Sequence, residues 1–127
     1  RMSRPVLVVT HGGVGDELVA VARDLLGPIA QLESISVSAQ DSLDSLSAKI
    51  EKWSARMPKG SRGLVLTDLK NSSATVSALA LAKKYPLDCI CGVNLPILLK
   101  TLTHSEGPLD AIVTAGRSGI DVVGKPK

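Results

Sequence analysis

Four short apolar runs alternate along this chain with segments whose apolar residues recur at helical spacing, and that alternation narrows the fold more than any single residue does. The runs are Pro5–Thr10, Ile35–Ser38, Gly63–Thr67 and Leu87–Val93. Ile35-Ser36-Val37-Ser38 alternates apolar and polar, as an edge strand with one face exposed would. Leu18, Val21, Ala22 and Leu25 mark a first helix, closed by Gly27-Pro28. Leu43, Leu46, Ile50 and Trp53 form the inner face of a second, capped by Asp41 or Ser42 and closed by Pro58-Lys59-Gly60. A third runs from about Ser73 to Lys84, and a fourth, with Pro96 in its first turn, reaches Leu102. Leu109, Ile112, Val113 and Gly116 mark a last helix, broken at Ser118-Gly119, and Ile120-Asp121-Val122 reads as a short terminal strand.

Strands that alternate with helices imply right-handed crossovers and a parallel sheet. The expectation is therefore α/β: a single doubly wound domain over residues 1–127 with flexible ends at 1–4 and 124–127. Its sheet is mainly parallel, in the common order 2-1-3-4, with helices on both faces. There are no internal repeats, linkers or low-complexity segments. The core must be aliphatic, since the chain has no Phe, one Trp (Trp53) and one Tyr (Tyr85).

The same composition narrows function. With only Trp53 and Tyr85 as aromatic side chains no stacking surface for bases is apparent, and the formal charge of +3 is mild, with several of the positives, Arg1, Arg4, Lys125 and Lys127, near the chain ends. No nucleic-acid partner is expected. No apolar stretch reaches membrane-spanning length, nothing resembles a signal peptide, and Arg1 before Met2 reads as an expression remnant. Cys89 and Cys91 lack further ligands that would complete a metal site. They read as buried reduced thiols, which fits a cytoplasmic protein, and neither metal nor cofactor is expected.

His11 is one of only two histidines, and it follows the first apolar run directly, ahead of Gly12-Gly13 and a helix start. Open α/β sheets bind ligands at this position, and a helix N-terminus offers unpaired N–H groups to an anion such as phosphate. In the order 2-1-3-4 the crevice lies between the first and third strands, which end at His11 and Asp68. A carboxylate that accepts the N–H of one imidazole nitrogen fixes the tautomer and leaves the other nitrogen as a nucleophile. No G-x-S-x-G elbow, P-loop or G-x-G-x-x-G sequence offers another chemistry. What remains is a histidine that itself becomes the covalent intermediate.

Over nearly its whole length the chain resembles the enzyme IIA domain of the mannose-type sugar phosphotransferase system (PTS). Thr10-His11-Gly12 matches that family's phosphorylated T-H-G segment, and Asp68 in Leu66-Thr67-Asp68 matches the aspartate that orients the histidine. Gly92-Val93-Asn94-Leu95-Pro96-Ile97-Leu98 is similar to its G-V-N-x-P-[ML]-L motif, and Ala115-Gly116-Arg117-Ser118-Gly119-Ile120 to its C-terminal G-R-x-G segment. The resemblance implies a phosphotransferase component with a phosphohistidine intermediate. His11, through Nε2, takes the phosphoryl group from the histidine phosphocarrier protein HPr and passes it to an enzyme IIB, which serves membrane sugar permease subunits. It implies further that Gly12 and Ser73 help hold the phosphoryl oxygens, and that a homodimer forms in which the segment Ile120 to Val122 is exchanged.

The family's T-W-G-G-S-P after the aspartate is replaced here by Leu69-Lys70-Asn71-Ser72-Ser73-Ala74. With both glycines gone, the loop is expected to bring its backbone less close to phosphate. Lys70 either stabilises phosphate or alters docking of the carrier. Local explanations stand beside the functional ones for several residues. Asp68 and Ser73 are each placed to cap the third helix, Asn94 to shape the turn before Leu95-Pro96, and Arg117 to sit at a helix C-terminus favoured by the dipole. Asn94 and Arg117 are otherwise partner contacts, and His104 is a surface residue. Two alternatives use the same fold: a regulatory protein that signals through His11 phosphorylation without sugar transport, and a non-catalytic binding module.

Overall fold

The computed structural model describes residues 4–104 and 106–124. Four strands alternate with helices: β1 (Val6–His11), α1 (Val14–Leu26), β2 (Leu32–Val37), α2 (Leu43–Ala55), β3 (Gly63–Thr67), α3 (Ser73–Leu81), β4 (Leu87–Ile90), α4 (Leu95–Thr103) and α5 (Leu109–Ser118). The sheet has the order β2-β1-β3-β4 and every pairing is parallel. This is the α/β architecture that the alternation of patterns implies.

Side chains of a strand point alternately to the two faces, and here the alternation divides the core in two. Val6, Val8, Leu64 and Leu66 pack with Val19, Ala22, Leu98 and Ile112 from α1, α4 and α5. Leu7, Val9 and Val65 pack on the other face with Leu46, Ile50, Trp53, Ala74 and Ala78 from α2 and α3. Because β2 and β3 cover the edges of β1 and helices cover both of its faces, Val6 to Thr10 are buried. His11 is the first residue of the strand to emerge into solvent.

Several boundaries differ from the sequence reading for identifiable reasons. On α1 the buried residues are Gly15, Val19 and Ala22, whereas Val21 and Leu25 are 38% and 61% exposed. A Cβ on Gly15 would lie 2.9 Å from Thr10 Oγ1, so α1 presses its smallest residue onto β1, and the stripe through Val21 and Leu25 rotates outward. Leu43, expected on the inner face of α2, is likewise exposed, while Leu46, Ile50 and Trp53 are buried. The α3 helix stops at Leu81 rather than Lys84.

β4 ends at Ile90 rather than Val93, because Gly92 adopts φ 77° and turns the chain; its N–H donates to Asp68 O. Ile120 to Val122 forms no strand within its own chain: after the α5 cap at Gly119 the segment has no ladder partner, and Ile120 and Val122 are 76% and 65% exposed. Arg4, counted among the flexible ends, donates from Nη2 to Gly107 O at 2.9 Å. The rest of that expectation, at 1–3 and 125–127, lies outside the described residues. Among the described residues no helix is long and apolar enough to cross a membrane.

Candidate functional site

His11 ends β1 and Asp68 immediately follows β3, the strand beside it, so the sheet brings the two together across one ladder step. One carboxylate oxygen, Asp68 Oδ2, accepts from both the backbone N–H and the ring Nδ1 of His11, at 2.9 and 2.8 Å. The other, Oδ1, accepts from Leu69 N at 2.8 Å. Burial pushes the Asp68 carboxyl up, but the three N–H donors outweigh it and hold the group below the usual carboxylate value. An ionised carboxylate can only accept, so Nδ1 carries the proton and Nε2 of the neutral ring keeps its lone pair. The His11 side chain is 59% exposed against 20% for Asp68, which leaves Nε2 within reach of another protein's side chain.

The loop between β1 and α1 is pinned from β2. Gly12 N donates to Val37 O at 3.0 Å, and the Ser36 hydroxyl donates to Gly12 O. Gly12 takes φ 52°, a left-handed conformation that disfavours residues with a Cβ. Both of its polar backbone groups are therefore used inside the protein. In this conformation Gly12 shapes the turn that presents His11. Buried Thr10 fixes the far end of the turn, with Oγ1 accepting from Gly15 N at 2.6 Å.

The loop between β3 and α3 is built differently. No residue from Asp68 to Ser73 has a positive φ, so the missing glycines are not needed for this path. Hydroxyl groups hold it instead. Thr75 Oγ1 donates to Leu69 O at 2.8 Å and lies 2.7 Å from Thr67 Oγ1. Ser72, not Asp68 or Ser73, caps α3, its Oγ accepting from Thr75 N. Ser73 is thus at the first helical position, and with His11, Leu69, Lys70, Asn71 and Ser72 it lines an open hollow of about 540 Å³.

Asn94 and Arg117 are not brought to this hollow. Asn94 caps α4, Oδ1 accepting from Ile97 N at 2.9 Å, and Nδ2 donates to Gly116 O. Both residues line a separate cavity of about 360 Å³ beside β4, along with Cys89 and Cys91. The two thiols are free, and burial pushes that of Cys89 up. His104 caps the exposed end of α4. No group of three or more metal-ligating side chains gathers among the described residues.

Ser36, Thr10 and the Thr67–Thr75 pair are the site's supports that the sequence reading missed. A signal existed for Thr10 and Thr67: each is a polar residue closing an otherwise apolar strand, and both are fully buried. Buried hydroxyls are nearly always hydrogen-bonded, so such a position marks a connection to a neighbouring loop or helix.

The family described as the PTS system fructose IIA component, EIIA-man, matches residues 5–113. No curated protein sequence matches the chain. Among solved structures it is similar to the mannose/sorbose specific IIA subunit of the phosphotransferase system from Enterococcus faecalis, at 23% identity and TM-score 0.88, covering 99% of this chain and 98% of that one. It is similar too to the PTS IIA protein associated with the fucose utilization operon from Streptococcus pneumoniae, at 20% identity and TM-score 0.86, with 96% and 94% covered. A sigma-54 interaction domain protein from Enterococcus faecalis follows at 14% identity and TM-score 0.75, with 92% and 90% covered. At these identities the structural likenesses show the fold. The family match spans most of the chain, and on that ground this protein belongs to the EIIA-man family of PTS IIA components.

Proposed function

We propose that the protein carries a phosphoryl group on His11 Nε2, accepting it from HPr and passing it to an enzyme IIB that serves a membrane sugar permease. One observation carries the reading: Asp68 Oδ2 lies 2.8 Å from Nδ1 while the His11 side chain is more than half exposed. The Nε2 lone pair attacks the phosphorus held on the donor's histidine. A new N–P bond forms, the old N–P bond breaks, and its electron pair returns to the donor's ring. Positive charge that develops on the His11 imidazole is stabilised by the Asp68 carboxylate, which keeps the Nδ1 proton as a hydrogen bond. Transfer to the acceptor runs the same step in reverse. In this reading Ser73, which starts α3 and lines the same hollow as His11, bonds a phosphoryl oxygen. The chemistry asks for positioning and charge compensation rather than a metal or cofactor of this chain's own.

A homodimer and a cytoplasmic location belong to the same reading. The unpaired edge of β4 and the exposed Ile120, Val122 and Val123 support an exchanged C-terminal segment. Incubation with phosphoenolpyruvate, enzyme I and HPr, followed by intact mass, tests the carrier role. The wild type gains an acid-labile phosphoryl group and His11→Ala gains none; an unmodified wild type, or equal labelling of the variant, overturns it. Adding enzyme IIB then separates a transport carrier, which loses its phosphate, from a regulatory protein that keeps it. The regulatory reading draws support from the fold shared with the sigma-54 interaction domain protein.

A further inference from the structure

A phosphoryl group on His11 adds negative charge to a neighbourhood that is already acidic. Asp68 is bonded to the ring Nδ1, Asp16 and Glu17 lie in the first turn of α1, the helix that follows the His11 turn, and Asp41 lies in the loop after β2, the strand paired with β1. Asp41 has a cation of its own in Lys49, at 2.9 Å. The loop after β3 has no left-handed residue, so it cannot form the alternating backbone nest that often cradles an anion. The first turn of α3 carries no charged side chain. Lys70 is the cation that lines the same hollow as His11, and its ammonium forms no ion pair among the described residues.

We infer that Lys70 is the counter-ion of the phosphoryl group on His11, a side-chain charge supplied from the loop after β3, which has no glycine of its own. The inference rests on the phosphocarrier reading above. Lysine suits the task as a compact charge on a flexible stem that can reach a phosphate oxygen without a fixed geometry. A carrier must also give its phosphate away, and an exposed lysine can withdraw as the acceptor approaches.

The test reads the charge directly. Protein phosphorylated on His11 by phosphoenolpyruvate, enzyme I and HPr is titrated by phosphorus NMR, as wild type, Lys70→Gln and Lys70→Arg. A nearby ammonium favours the fully ionised phosphoryl form. Lys70→Gln is therefore expected to raise the phosphoryl pKa by roughly 0.5–1, and Lys70→Arg to leave it near the wild-type value. The gap should narrow between about 0.01 and 1 M salt, where the screening length falls from about 30 to 3 Å. A purely structural role for Lys70 moves none of these readings. Identical titrations of wild type and Lys70→Gln overturn the inference, as does a variant that only slows transfer from HPr, which would mark Lys70 as a docking residue. If the wild type takes up no phosphoryl group, the carrier reading falls first and this inference with it.

Discussion

The loop after β1 and the loop after β3 supply the two halves of the site, and they keep their shapes by different means. The first depends on backbone: Gly12 at φ 52°, its N–H on Val37 O, its carbonyl held by Ser36. The second depends on side chains, with Thr75, Thr67 and Ser72 holding it and no residue in the left-handed region. A loop fixed by backbone conformation tolerates few residues at the turn but presents His11 in one position. A loop fixed by hydroxyls buried beneath it leaves its outer positions free to vary, and those are the positions of Leu69, Lys70 and Asn71. On the proposed reading, the fixed requirement, a histidine held in one position against the carboxylate of the other loop, falls on the first. On the same reading the adjustable one, how a phosphate and a partner would be met, falls on the second.

Asp68 is where the two loops join, so cutting it should have the largest effect. Asp68→Ala removes the acceptor of both His11 N–H groups, frees the ring to rotate and leaves the developing imidazolium uncompensated. Phosphoryl transfer from HPr should fall roughly 10²–10⁴-fold, by the usual range for a group that assists proton placement in the transition state. Rapid-quench labelling measures it. A fall of less than about tenfold would mean that the β1 loop alone orients His11.

Next comes the support of the second loop. Thr75→Val keeps the shape but leaves Leu69 O and Thr67 Oγ1 without their partner in a site that is 6% exposed. Stability to urea should drop by about 1–3 kcal/mol, the cost of buried unpaired polar groups. Because Leu69 N also donates to Asp68, transfer should slow in the same variant. Unchanged transfer would show that the loop's buried hydroxyls serve the fold and not the site.

These supports also mark where the sequence was legible and where it was not. Strand runs, their order and the meeting of His11 with Asp68 follow from apolar period and from the chain-order rule for such sheets. The second level of contacts does not. Ser36 alternates outward on an edge strand, and nothing in the pattern says that its hydroxyl bends over the strand end to Gly12. Leu18, Val21, Ala22 and Leu25 share helical spacing, yet with Gly15 packed closely on Thr10 only Leu18 and Ala22 face the core and Val21 and Leu25 turn outward. Gly92 lies inside an apolar run, and only its φ of 77° reveals that β4 has already ended. In each case a specific contact, of Ser36 with Gly12, Gly15 with Thr10 or Gly92 with Asp68, decided between local patterns of similar merit.

Gly12→Ala tests the backbone half. Nothing lies within 4 Å of a Cβ built there, so the substitution meets no clash and its whole cost is conformational. That cost should be about 1–2 kcal/mol in urea unfolding, the usual excess of a residue with a Cβ in the left-handed region. Gly12→Asn should recover part of it, since Asn visits that region more readily. Equal stability of wild type and Gly12→Ala would mean that the turn relaxes, and that the first loop is no more constrained than the second.

The smallest expected effect is a pH dependence, and it probes the link between the halves. Asp68 sits below its ordinary carboxylate value because its N–H donors favour the ionised form. A depressed carboxylate contributes stability that is fully present above the unfolded value and lost as the pH falls through the folded one. His11→Ala removes the ring donor but keeps the backbone N–H and Leu69 N, so only part of the depression disappears. The wild type should therefore exceed His11→Ala by about 0.2–1 kcal/mol at neutral pH, a typical value for a partly exposed pair. That margin should shrink as the pH falls through the acid range, because a protonated Asp68 gains little from the ring. Urea titrations at a series of pH values measure it. A margin that stays constant into strong acid would mean that His11 stabilises the fold by packing, and that the two loops are joined through the backbone N–H of His11 alone.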